Sequence, residues 1–466
     1  MCAQAANFLL RFGSLMILAR LLDPKDFGLV GMVTTITGVL GLFRDFGLSS
    51  ASVQRATVTE EQTSTLFWIS VLFGGFLMIV AIALAPAVGA FYHEPRLFRV
   101  MHVVAIGILL NAAGAQHAAR LQREMRFTAL ALVDISALLI GTSVTIGMAA
   151  AGYGYWALVA MTVSVPLITT LGLWGTAAWI PGLPRRGIGV RSMLHFGGKM
   201  AFNGFFWYIA SNFDKVLLGR YWGADAIGIY YNASQLIRIP TDNLNSAVGD
   251  VAFSALSRLQ DDPERLKSYF LKGYSIVVAL TVPVTVACAV FANDIVAMVL
   301  GPRWTGAAEI FRILAPTILV FAIANPLGWL LNALGLVGRG LKISLVFTPL
   351  LIVGYVIGLP YGPRGVALAY LTVMTLALVP LATWAVHGTV IGVSDIVRTL
   401  SRPLASSAAA AALAFGTQAL CGPALSLLPR FVLEIFVFGT AYPVALLLVA
   451  GQKAFYIDIL RGAKSG

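Results

Sequence analysis

A chain of 466 residues, 59% hydrophobic and only 11% charged, is too apolar for a soluble globular domain, so most of its length must face lipid or other buried helices. The formal charge of +12 is scattered over short loops, which argues against a nucleic-acid-binding domain with its clustered basic face. Cys2, Cys288 and Cys421 lie far apart in or beside apolar segments, and the five histidines show no metal spacing. No metal site, redox motif or cofactor is expected.

Met1 leads almost directly into the first apolar segment, with no basic n-region or small-residue cleavage site, so that segment reads as a retained span without a cytoplasmic leader. Apolar runs then recur along the chain, each long enough to cross roughly 30 Å of hydrocarbon. They predict about 14 spans, at 3–22, 27–48, 66–90, 98–117, 128–150, 153–178, 195–219, 226–250, 272–298, 307–335, 341–359, 363–388, 396–420 and 430–451. The fold class is an all-α integral membrane protein. Continuous runs twice the length of a barrel strand argue against a β-barrel.

Leu18-Ala-Arg20-Leu-Leu-Asp-Pro-Lys-Asp-Phe-Gly28 is echoed by Leu218-Gly-Arg220-Tyr-Trp-Gly-Ala-Asp-Ala-Ile-Gly228, without a gap. A second echo joins Gly152-Tyr-Gly-Tyr-Trp-Ala157-Leu158 to Gly362-Pro-Arg-Gly-Val-Ala367-Leu368. Long internal repeats in an apolar chain point to two homologous helix bundles. The expected organisation is a six-helix bundle over 1–180, a cytoplasmic linker over 181–194, a pseudo-symmetric six-helix bundle over 195–390, and two extra spans with a short tail over 391–466. The linker begins at Pro181-Gly-Leu-Pro184-Arg185-Arg186, where proline and glycine stop the sixth helix. With both termini in the cytoplasm, inward loops carry roughly 19 Lys and Arg against about 7 outward, as the positive-inside rule requires. The inward set includes Arg120, Arg123, Arg126, Arg185 and Arg186; the outward set includes Lys25, Arg96, Arg303 and Arg430.

Charged groups in hydrocarbon are costly and should face a cavity or a partner. The first span carries Asn7, Arg11 and Ser14 on one helical face; the seventh carries Lys199, Asn203, Trp207, Ser211 and Asp214. Shifted by the repeat, the first stripe falls on Trp207, Ser211 and Asp214, so both halves point matching faces at a central cavity. The eighth span adds Gln235, Arg238, Asp242 and Asn245, and Asp45 is the repeat counterpart of Asn245. The expected substrate-binding set is Arg11, Lys199, Arg238, Asn7, Asn203, Ser211 and Gln235, with Arg20, Arg44, Lys215 and Arg220 at the cavity ends or gate. Such a cationic cavity attracts anions, and arginine suits phosphate oxygens. Asp214, Asp134, Asp242 and Asp45 are candidate coupling groups or charge partners. Plainer readings stand beside these. Arg20, Arg44 and Arg220 can snorkel to the interface, Asp214 can neutralise Lys199 or Lys215, and Asp134 can be a structural hydrogen-bonding partner. Pro166, Pro283, Pro316, Pro326, Pro349 and Pro380 fall inside spans, with Asn325-Pro326 as the strongest kink candidate.

Three strings of the first half carry a resemblance: Leu18-Ala-Arg20 to Gly28, Arg44-Asp45-Phe-Gly47-Leu-Ser-Ser-Ala-Ser-Val-Gln-Arg55, and Leu121-Gln-Arg123-Glu-Met-Arg126-Phe127. With Asn212-Phe-Asp214-Lys-Val-Leu-Leu-Gly219-Arg220 and Gly228-Ile-Tyr230-Tyr-Asn-Ala233, they resemble the polysaccharide-export flippases. Those form the lipopolysaccharide and exopolysaccharide branch of the multidrug/oligosaccharidyl-lipid/polysaccharide (MOP) superfamily. The resemblance covers nearly the whole chain. It implies a V-shaped transporter of the bacterial inner membrane that turns a polyprenyl-pyrophosphate-linked oligosaccharide from the cytoplasmic to the periplasmic leaflet by alternating access. Expected partners are that substrate, membrane lipid and the polysaccharide polymerase machinery, with the chain acting as a monomer. A multidrug or cation exporter of the same fold is the alternative, and would call for acids in the cavity. A membrane enzyme is not expected, because no loop is large enough for a catalytic domain.

Overall fold

The computed structural model describes residues 2–44, 48–49, 52, 58–185, 191–259, 262–421 and 425–452. Every regular element among them is helical. Internal packing divides the chain into two compact units, Met1–Tyr231 and Asn232–Gly466. Among the described residues, eight helices are long and apolar enough to cross a membrane, or up to nine if a bent pair counts as one span.

The first unit holds α1 (Cys2–Leu21), α2 (Pro24–Leu42), α3 (Glu60–Tyr92), α4 (Arg96–Arg123), α5 (Phe127–Ala150), α6 (Tyr155–Ala177) and the first part of α7 (Arg191–Arg258). Local chemistry sets the helix starts. Pro24 occupies the first turn of α2, where its missing N–H costs nothing, and the Asp26 carboxylate accepts from the Asp23 N–H at 3.2 Å. Thr59 and Gln62 satisfy each other's backbone N–H groups at the start of α3, at 3.2 and 3.1 Å. Sidedness follows from helical spacing. On α3, Ser70, Leu77, Ala81 and Ala85 are buried, whereas Leu72, Phe76 and Ile79 are 70%, 56% and 62% exposed. A stripe that apolar and that open belongs against lipid. The buried face of α3 packs on α4, α4 also packs on α6, and α5 packs on both α6 and α1.

The two repeated strings touch. A Cβ on Gly28 would lie 1.7 Å from the carbonyl oxygen of Ala224, and one on Gly228 would lie 1.8 Å from that of Pro24. Ala224 is the repeat counterpart of Pro24, so the contact is reciprocal, and only glycine at both places lets the backbones meet. The expected seventh and eighth spans are the two helical stretches of α7, which meet at a kink at Gly223, whose φ of 80° and ψ of −173° favour glycine.

The second unit continues through α8 (Pro263–Val290), α9 (Ala292–Val299), α10 (Thr305–Leu314), α11 (Thr317–Ala333), α12 (Val337–Gly358), α13 (Gly362–Val386), α14 (Val393–Cys421) and α15 (Leu427–Val444). Phe270, Tyr274, Val278 and Val282, four residues apart on α8, form a core with Ile323, Leu327 and Leu330 of α11 and Ala382 and Ala385 of α13. Helix ends depart from the sequence expectation in places. The 272–298 span is the later part of α8 plus the separate α9. The 307–335 span is α10 and α11, bent by 44°. That break falls at Ala315-Pro316, while Pro326 sits inside the unbroken α11.

Candidate functional site

The polar stripe of α1 is the first candidate. Arg11 is exposed on a mostly apolar helix, Asn7 is half-buried beside it, and Ser14 is buried with its hydroxyl donating to the Arg11 carbonyl at 2.8 Å. That bond turns Ser14 back onto its own helix. Among the described residues the Arg11 guanidinium makes no hydrogen bond or ion pair, and Asp134 on the adjoining α5 is the acid within its electrostatic reach. Asp134 is itself exposed. A guanidinium held on an apolar helix without a close carboxylate keeps its fork of donors available for phosphate oxygens.

On α7 the expected residues separate. Lys199, Asn203, Asp242 and the stripe residues Trp207 and Asn245 lie on this helix, with side chains outside the described residues; Asp45 lies outside them altogether. Ser211 and Gln235 are half-buried and Arg238 is exposed. Asp214 and Lys215 are 6% and 5% exposed. The Lys215 ammonium donates to Asn212 Oδ1 at 2.7 Å and sits 5.6 Å from the Tyr231 ring, while its backbone N–H donates to Asp214 Oδ1 at 2.8 Å. These two charges are therefore built into the interior of the first unit.

Arg20 and Arg44 are both exposed, at the end of α1 and in the turn after α2. Arg220 is held differently. Its guanidinium lies 2.6 Å from His93 Nδ1 and against the Phe91 and Tyr221 rings. His93 ends α3 in the left-handed conformation, with φ 53°. The neighbouring Tyr92 ring would be 2.6 Å from a Cβ on Gly219. The end of α3 thus clamps the repeated string just before its break at Gly223.

Two of the arginines expected on the inward side are engaged. Arg120 Nε is 3.0 Å from Glu124 and its Nη1 3.6 Å from Glu60, and Arg123 donates to the Ser52 carbonyl at 2.5 Å. These contacts suit anchors of topology. Sequence reasoning passed over a buried aromatic cage around His117, which stacks on Trp174 at 4.8 Å between centroids and meets Phe67 edge-on. His117 Nε2 lies 3.2 Å from the Trp179 carbonyl. The start of the linker is fixed beside it. Trp68 Nε1 donates to the Gly182 carbonyl at 2.9 Å, the Gly182 N–H to Ser64 at 3.0 Å, and the Arg185 N–H to Thr65 at 3.0 Å. The signal in the sequence was the density of Trp68, Trp174 and Trp179, each with an N–H that needs a partner when buried.

A family model described as polysaccharide biosynthesis protein matches residues 17–309. The lipopolysaccharide biosynthesis protein WzxC of Escherichia coli (strain K12) is 26% identical over 367 residues, covering 77% of this chain and 73% of that protein. The solved structure of the lipid II flippase MurJ in its inward closed conformation superposes with a TM-score of 0.77 at 14% identity. It covers 98% of this chain and 99% of the other. An inward-facing multidrug resistance MATE family transporter of the MOP superfamily gives 0.63 at 15% identity, over 81% and 93%. The chain shares the fold of these two transporters.

Proposed function

The chain belongs to the polysaccharide biosynthesis protein family, and from that membership we propose that it is a flippase for a lipid-linked sugar. The substrate is a polyprenyl-pyrophosphate-linked oligosaccharide, moved from the cytoplasmic to the periplasmic leaflet for lipopolysaccharide or exopolysaccharide synthesis. The layout is 14 spans in a 6+6+2 arrangement, with both termini in the cytoplasm and the chain in the inner membrane. It acts as a monomer and delivers its cargo to the polysaccharide polymerase machinery. Transport proceeds by alternating access, with the polyprenyl tail left in lipid.

The observation that supports the reading is the pair of arginines, Arg11 on α1 and Arg238 on α7, both exposed and without an ion pair among the described residues. Guanidinium in such a setting recognises phosphate through paired charge-assisted bonds. Arg11, Arg238 and Lys199 each meet the pyrophosphate during its passage, and Asn7, Asn203, Ser211 and Gln235 supply hydrogen bonds to sugar. Arg20, Arg44, Lys215 and Arg220 serve the ends of the path. Asp134 balances Arg11, Asp214 balances Lys215, and Asp242 and Asp45 are the remaining charge partners.

Arg11→Ala and Arg238→Ala, with membrane levels unchanged, are expected to lower surface polysaccharide about tenfold, roughly the loss of one charge-assisted bond. Lipid-linked repeat units should accumulate on the cytoplasmic side. Normal polymer in both variants overturns the assignment of these residues. The shared fold with the MATE transporter supports a second reading, export of organic cations through Asp134. Drug resistance lost in Asp134→Asn, with polymer intact, would establish that reading.

A further inference from the structure

The second unit buries a group of charged side chains that the transport reading does not use. Asp294 on α9 is 4% exposed and Glu434 on α15 is fully buried. Arg430, one turn before Glu434, is ion-paired to Asp294 Oδ1, and Gln418 of α14 donates to Asp294 Oδ2 at 3.4 Å. Glu434 is left over. Its Oε1 is 3.9 Å from Arg430 Nε, outside hydrogen-bond distance, and neither carboxyl oxygen has a hydrogen-bond partner among the described residues. Arg430 Nε is unpartnered as well.

The surroundings are apolar. Phe291, Ala410, Ala411, Ala414 and Phe438 form the core at this end of α8, α14 and α15. α14 brings the uncharged Gln418 to the group. α8 brings Val286, Ala287 and Val290, and its carbonyl at Ala279 accepts from Tyr442 at 2.6 Å. The titratable side chain α8 carries at this end is the thiol of Cys288; its charged residues, Glu264, Arg265, Lys267 and Lys272, lie towards the other end.

Two carboxyls thus share one guanidinium, which hydrogen-bonds Asp294 and meets Glu434 only as a longer ion pair. A second carboxylate here would be a buried charge with two oxygens lacking hydrogen bonds, an arrangement that burial strongly disfavours. A proton removes the conflict. Carboxylic acid at Glu434 becomes a donor, and the Asp294 carboxylate, paired to the same guanidinium, is the neighbouring acceptor. We infer that Asp294 and Glu434 form a proton-binding site in which one exchangeable proton is shared between the two carboxyls and α15 is tied to α9. A metal cation fits less well. Two carboxyls with an arginine across one of them fall short of a cation's oxygen shell, and no group of three or more His, Cys, Asp or Glu among the described residues is placed to hold a metal.

The site stands apart from the cargo reading, and its test uses no substrate. Infrared spectra of the full-length protein in lipid nanodiscs at neutral pH should show a protonated-carboxyl C=O band that is absent in Glu434→Gln. Asp294→Asn frees Arg430 to pair with an ionised Glu434, so the band should also be lost there; this variant covers the case in which Glu434→Gln does not fold. Exchanging potassium for sodium should leave the band unchanged. A spectrum that neither substitution alters overturns the site, and a band abolished by sodium replaces the proton with a cation.

Discussion

Gly28 and Gly228 show how one hydrogen atom in place of a side chain sets a contact. Each lets a backbone carbonyl approach where a methyl group would overlap it. Alanine at either position should destabilise the protein by about 2 kcal/mol, the range of overpacking in a dense interior. The double variant should cost less than the two singles together, because the first methyl already parts the backbones the second would part. Thermal unfolding in one detergent reads both effects, and full additivity would mean that the glycines do not share a joint. The repeat that places these glycines was legible in the sequence, but their contact was not. Similar strings show equivalence of position without telling whether the equivalent parts touch. Asp294 and Glu434 were illegible for another reason. Asp294 looks like the polar end of a span, and Arg430 reads as a loop charge. Only the return of α15 against α9 brings the three together.

At the level of elements, the start of α14 carries a pH-dependent tie. Lys267 on α8, 2.8 Å from Asp395, holds that carboxyl below the usual aspartate range, aided by the Gly392 N–H at 3.0 Å. A lowered folded-state value means that the stabilisation is complete above the unfolded value of about 3.9 and disappears as pH falls through the folded one. The two side chains are 35% and 26% exposed, so solvent screening limits the gain to about 0.5 kcal/mol. Asp395→Asn should therefore unfold slightly earlier at neutral pH and match the parent protein once pH has fallen through the lowered folded-state value. Helix positions followed well from apolar run length, since that length is fixed by the hydrocarbon. Helix ends followed less well. The caps of α2 and α3 lie beyond the apolar runs, and the break at Gly223 looks like any other glycine until its backbone angles are known.

The proposed orientation of the whole molecule rests on loop charge alone. Met125, 72% exposed between α4 and α5, and Tyr153, 59% exposed between α5 and α6, lie at opposite ends of α5. Single cysteines there, with Cys2, Cys288 and Cys421 replaced, should react with an impermeant maleimide from opposite faces. Position 125 should be labelled only after the inner face is opened, and position 153 in intact spheroplasts. The reverse result would invert the orientation and with it the direction of transport.

The stitching of 182–185 to α3 has a mechanical corollary. Its bonds from Trp68, Ser64 and Thr65 anchor the strand up to Arg185, and α7 begins at Arg191. Five residues, 186–190, span the interval. Fully stretched, that leash reaches about 20 Å, which caps the stroke of the first turn of α7 away from α3 however far the remainder of that helix swings.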